Sequence, residues 1–194
     1  MPLLTTPALP AGSLAALSQP TIARNGVILR AWEESDAAAV VAAYADPAIQ
    51  RWHCWSLSGD EALRWIAGWP RKWQEETGAS WAVVVDGKFA GQVGLRGLQL
   101  EEGLAKISYW VLPETRGKRV APRALEVMSR WAFGTLGLHR LELNHSTANA
   151  ASCRVALRCG FLLEGTKRSE ALHADGWHDM HTHARLTTDP SPTV

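Results

Sequence analysis

Charge of one sign is what this sequence most plainly lacks. Its 20 Lys and Arg stand against 19 Asp and Glu in 194 residues, a formal net charge of +1. There is therefore no global field to gather nucleic acid or an anionic membrane surface, and a charged ligand must be held by a local cluster. No apolar run approaches the ~20 residues that cross a bilayer. The stretch from Met1 to Ala23 has no basic group ahead of its apolar residues, so it reads as neither signal peptide nor anchor. Cysteine is scarce: Cys54, Cys153 and Cys159 form no CxxC pair and are odd in number. That excludes a disulfide framework and fits reduced thiols in a cytoplasmic protein.

Tryptophan, by contrast, is abundant, with ten residues. Core packing accounts for most of them. Trp52 and Trp55, flanking His53 and Cys54, are the exceptions, because aromatic walls also line pockets for cationic amines.

Residues 1–20, rich in Pro, Ala, Leu and Ser without period, read as a flexible tail, and 189–194 likewise. Residues 21–188 then form a single domain. Val27 to Trp32 reads as a strand, Glu34-Ser35-Asp36 starts a helix that stops near Asp46-Pro47, and a second helix runs from Ser58 to Glu76. Trp81 to Val85 and Phe89 to Leu98 form a hairpin, followed by a strand over Leu104 to Leu112. An amphipathic helix from Val120 to Leu136 carries Pro122 in its first turn. A strand over Leu138 to His145, a short helix over Asn149 to Cys159 and a last hairpin, Phe161 to Leu172 with Trp177 to Leu186, complete the chain. This order predicts an α/β (α+β) fold: a mixed, mostly antiparallel twisted sheet with helices on both faces.

The chemistry concentrates between Ile107 and Ala121, where a strand feeds a basic, glycine-containing loop that opens a helix. Free backbone N–H groups and the helix dipole there suit an anion, and Arg116, Lys118 and Arg119 add full charges. The preceding strand offers hydrogen bonds to an extended amide-bearing arm. Coenzyme A has both a pyrophosphate and such an arm.

Together with Tyr109-Trp110-Val111, Arg116-Gly117-Lys118, Asn149-Ala150-Ala151-Ser152, Gly160-Phe161, Glu164-Gly165 and Asp175-Gly176, this segment resembles the GNAT superfamily over residues 25–187. The match is to its Rim-like branch of ribosomal-protein and small-molecule acetyltransferases. The resemblance implies a GNAT-type fold, acetyl-CoA as co-substrate, and a peptide or small-molecule amine that attacks the thioester directly. Tyr109, Trp110, Val111, Arg116, Gly117, Lys118, Arg119, Val120 and Ala121 would hold the coenzyme, and a β-bulge amide near Tyr109 to Val111 would stabilise the oxyanion. Asn149 would anchor the pantetheine, and Ser152 would return a proton to the departing thiolate; both residues could equally cap the helix.

His145, Glu142 and Glu114 are candidate bases, with a water chain as the alternative. Trp52, His53, Trp55 and Glu33 would border the acceptor. Alternation sets Asp179, His181 and His183 on one strand face, as metal ligands can be, but spacing supplies no further ligand and no metal is expected. One departure stands out: the family pattern has glycine where this chain has Arg119. The expectation is that Arg119 keeps φ negative and turns its guanidinium to phosphate. The alternative it leaves open is a catalytically degenerate module that binds acyl-CoA or serves a structural or regulatory role. A homodimer is also left open.

Overall fold

The computed structural model describes residues 4–192. Eight strands form one sheet in the order β1-β2-β3-β4-β5-β6-β8-β7. They are β1 (Ile22–Arg24), β2 (Val27–Arg30), β3 (Gly78–Val85), β4 (Lys88–Gln99), β5 (Leu104–Val111), β6 (Arg140–Ser146), β7 (Leu162–His173) and β8 (Gly176–Leu186). Among the described residues every pair is antiparallel except β5 and β6. The helices are α1 (Ala37–Ala45), α2 (Pro47–His53), α3 (Gly59–Gln74), α4 (Val120–Trp131) and α5 (Ala150–Arg158).

Local signals explain most of these elements. Ser58 and Glu61 form a reciprocal capping box at the start of α3, and Ala62, Ile66, Trp69 and Trp73 recur on its buried face, the 3.6-residue period of an amphipathic helix. The long helix expected over Val120 to Leu136 is α4 continued by a π-helical turn, Ala132–Leu136, which Gly137 ends with φ 89°. α4 packs against β2, β4 and β5, burying Leu125, Val127 and Met128 with Trp81, Val93 and Leu143. On the other sheet face Trp110 joins Val40, Tyr44, Ile49 and Ile66 of α1–α3. The Cys159 thiol, donating to the Pro122 carbonyl, is pushed up to about 12 by burial and by the nearby Glu126 carboxylate. It is an inert thiol.

Two short elements escape the sequence pattern. β1 pairs with β2 across Asn25-Gly26, both at positive φ (54° and 69°), the conformation of a tight hairpin turn. α2 starts where the first helix was expected to stop: Asp46 accepts from the Ile49 amide at 3.0 Å and Pro47 occupies the first turn.

The flexible N-terminal tail is corrected by the structure. Residues 1–3 lie outside the described residues, but the segment after them is strapped to the domain. Leu14 is fully buried. The Glu76 carboxylate accepts from the amides of Gly12 and Leu14 (both 2.7 Å) and Ala15 (3.1 Å). The Trp73 indole donates to the Leu17 carbonyl (2.8 Å) and Trp81 to that of Pro20 (3.0 Å). Bonds to backbone groups need no side-chain period, which is why the segment read as loose. At the other end Pro192 rests 3.7 Å from the position a Gly160 Cβ would take, so the expected C-terminal tail folds back as far as it is described; 193–194 lie outside.

Candidate active site

The site is made by a split in the sheet. β5 and β6 pair only from Leu104↔Arg140 to Lys106↔Glu142 and then diverge. The β5 edge facing β6 is thus left without a strand partner from Ile107 onward, and unpaired amides and carbonyls of this kind are templates for an extended ligand. The gap is a cleft of ≈ 750 Å³ lined by Ile107 to Val111 on one side and Leu143 to Ser146 on the other.

Tyr109, Trp110, Val111, Arg116, Ala121, His145, Asn149 and Ser152 all border this cleft, as do Trp52, His53 and Trp55 at its α2 end. At its heart the Tyr109 hydroxyl lies 2.8 Å from Ser152 Oγ. Burial pushes the Tyr109 phenol above its ordinary range, so it stays protonated. Asn149 Oδ1 accepts from the Ser152 amide at 3.0 Å: it caps α5 and its side-chain N–H₂ has no protein partner among the described residues. Capping therefore leaves its donors available to a ligand.

Other expected residues fall elsewhere. Glu142 is taken up by Arg140 at 3.0 Å, at the closed end of the split, and Glu114 is exposed in the turn Pro113–Thr115. Glu33 is exposed, closing a short 3-10 turn and standing 3.7 Å from Arg30. His145 borders the cleft but turns its reactive atoms away: Nδ1 is held by the Ser146 carbonyl at 2.8 Å and Nε2 is buried without a partner. Neither nitrogen is open to an amine.

The expected bulge near Tyr109 is also absent. β4 and β5 pair without a break from Gly91↔Val111 to Arg96↔Lys106, and the register shifts only beyond Arg96. The strands approach closely there instead; a Cβ on Gly91 would sit 2.3 Å from the Trp110 carbonyl oxygen.

In the basic loop, Gly117, Lys118 and Arg119 are exposed between two cleft-lining residues, while Val120 belongs to the α4 core. Arg116 bridges to the α2 cap, its Nη2 3.0 Å from Asp46 Oδ1. Arg119 departs from expectation: φ is 57° and ψ 25°. The left-handed conformation is what glycine would supply there, and a side chain pays about 1–2 kcal/mol for it. The loop is held by Arg123, which donates to the carbonyls of Lys118 (3.2 Å), Arg119 (3.3 Å) and Asn25 (3.0 Å). Arg119→Gly is expected to raise stability by about 1 kcal/mol, read as an upward shift of the urea midpoint with unchanged slope.

Two features were not read from the sequence. Ser146 Oγ, on the cleft wall, lies 2.7 Å from His178 Nδ1, and His178 Nε2 lies 2.8 Å from Asp175 Oδ1. With Nε2–H donating to the carboxylate, Nδ1 accepts the Ser146 hydroxyl proton. The residues come from β6, the β7–β8 turn and the start of β8, and only strand register brings them together. His53, flanked by Trp52 and Trp55, is driven down to about 4 by burial and by the Arg96 guanidinium. It is neutral at pH 7 and joins the cleft to a ≈ 330 Å³ side pocket walled by Trp65 and Trp69.

Residues 27–162 match the model of the acetyltransferase (GNAT) domain. The chain belongs to the GNAT acetyltransferase family. It is 31% identical over 113 residues to YdaF of Bacillus subtilis (strain 168), covering 58% of this chain and 61% of that protein. Against the ribosomal-protein-serine acetyltransferase of Escherichia coli (strain K12) it is 29% identical over 82 residues, 42% of this chain and 46% of that one. The chain thus spans less than two thirds of either relative. The solved structure of RimL, a ribosomal L7/L12 alpha-N-protein acetyltransferase in complex with coenzyme A, superposes with a TM-score of 0.77 at 22% identity, over 84% of this chain and 95% of that one. The GNAT fold expected from the ordered motifs is the fold observed. Among the described residues no helix is long and apolar enough to cross a membrane.

Proposed function

We propose that this enzyme moves the acetyl group of acetyl-CoA to a primary amine by direct attack within a ternary complex. The observation that carries the reading is the split between β5 and β6, with the Tyr109–Ser152 hydroxyl pair on its wall. The pantetheine arm would pair with the free edge of β5 and the N–H₂ of Asn149, with the pyrophosphate at the Arg116 to Ala121 loop. Attack of the amine on the thioester carbonyl forms the C–N bond and breaks the C–S bond; the CoA thiolate takes the Ser152 hydroxyl proton, Tyr109 stays protonated and steadies Ser152 Oγ by hydrogen bonding, and solvent entering the open cleft reprotonates Ser152. The amine's own proton leaves through Ser146 to His178, which Asp175 orients.

The relatives' names support a protein N-terminal amine as acceptor. The side pocket adds a preference: Lys72 and Arg96 line it and no carboxylate does, so an acceptor bearing an acidic group beside its amine suits it better than a polyamine. The test is a panel of peptides, amino acids and polyamines assayed with acetyl-CoA by thiol release. Turnover is expected with acidic peptides or amino acids above polyamines. Absence of both CoA binding and turnover with every amine would return the chain to the degenerate-module reading.

A further inference from the structure

Behind the cleft wall, three elements bring together four side chains that ligate soft and borderline metals. β6 and β8 pair with His145 opposite His181 and Leu143 opposite His183, so the three imidazoles gather on one side of the sheet. Cys153, in the first turn of α5, comes down onto them. One donor atom from each of His145, Cys153, His181 and His183 lies within 4.8 Å of all the others.

The hydrogen bonding suits a cation among these four side chains. His183 is fully buried and His145 is 5% exposed. Nε2 of His145, Nδ1 of His181 and Nε2 of His183 are buried with no hydrogen-bond partner. The opposite nitrogen of two of these rings is held by a backbone carbonyl, His145 Nδ1 by Ser146 at 2.8 Å and His183 Nδ1 by Phe161 at 3.1 Å. A carbonyl can only accept, so each Nδ1 is the N–H and each orphaned Nε2 is a bare lone pair. Buried lone pairs of this kind find no protein donor here, and buried polar atoms are seldom left so. Carbonyl-held imidazoles with the other nitrogen free are also the usual arrangement behind a metal ion.

We propose that His145, Cys153, His181 and His183 form a closed tetrahedral site for Zn(II). Three imidazole nitrogens and one thiolate are a zinc set, and binding releases the Cys153 proton as the S–Zn bond forms. Around zinc the donors would stand roughly 3.3–3.7 Å apart, so the cluster must close by about an ångström, within reach of side-chain rotation. Four protein ligands leave no open position, which makes the ion structural. It would pin α5 to β6 and β8 one residue from Ser152. Of the residues weighed in the sequence, Asp179 takes no part, since its carboxylate accepts from the Ser169 amide at 2.8 Å.

The test is metal content and the Co(II) spectrum. Chelator-stripped full-length protein is given equimolar Zn(II), passed through a desalting column, and its bound zinc measured by mass spectrometry. One zinc per chain is expected, with protection of the Cys153 thiol from alkylation. Co(II) in its place should give tetrahedral d–d bands and a thiolate-to-metal charge-transfer band. Cys153→Ala and His181→Ala, both at partly exposed positions, should weaken Zn(II) binding at least 100-fold, and Cys153→Ala should abolish the charge-transfer band. Failure of wild type to retain zinc overturns the site. So does retention unaffected by either substitution, and so does Co(II) binding without a thiolate band, a result read on wild type whether or not the variants fold.

Discussion

Ser152→Ala is expected to lower turnover by roughly 10²–10⁴-fold, the span of a positioned acid, while CoA affinity moves only a few-fold. Ser152 Oγ and the Tyr109 hydroxyl are 2.8 Å apart on the cleft wall, and the negative charge they meet exists only as the C–S bond breaks. An interaction confined to the transition state is lost from kcat rather than from binding. The substitution spares the fold, because the Ser152 amide still donates to Asn149 Oδ1. Steady-state thiol release together with calorimetric CoA titration checks this, and a change in melting temperature alone would make Ser152 a structural residue. Ser146→Ala, on the acceptor side, should depress kcat without altering CoA affinity.

Glu126→Leu is expected to cost about 3–5 kcal/mol of stability. Glu126 on α4 is 1% exposed and Arg185 on β8 3%, with Arg185 Nη1 2.5 Å from Glu126 Oε2. Removing the carboxylate strands a buried guanidinium whose remaining partner is the Cys159 carbonyl at 3.2 Å. Arg185→Met should cost less, because Arg130 stays 2.6 Å from Glu126. The double replacement should recover most of the loss, since two apolar side chains carry no desolvation penalty. Urea denaturation of the four proteins gives the coupling energy directly; a loss in the double variant equal to the sum of the two single losses would mean that the pair is not coupled. Against the 5–15 kcal/mol that holds a typical domain folded, the single change is large.

What was legible in the sequence is what local pattern controls. α3, α4 and the β3–β5 meander follow from apolar period, caps and turns. Tyr109, Asn149 and Ser152 were singled out because a strand edge and a helix start are local features, and all three border one cleft. Arg119 was misread because its positive φ is imposed by the closing of the loop, not by its own preference. His145 was misread because the direction of its Nε2 depends on the register between β6 and β8, a long-range property. The Ser146–His178–Asp175 chain and the four-ligand cluster escaped for the same reason, as each draws on segments some 30 residues or more apart. The three-residue β1 and the N-terminal strap escaped because backbone bonding leaves no mark on side-chain pattern.

The strap also orders events during synthesis. Leu14 leaves the ribosome early, yet the carboxylate that holds its amide lies 62 residues downstream, and Trp81, which binds Pro20, later still. At roughly 5–20 residues per second this apolar segment waits several seconds, uncovered, for the groups that bury it. The strap is thus locked only once the segment some 60 residues downstream of it has been made, and the nascent protein presents it to chaperones and proteases throughout that interval.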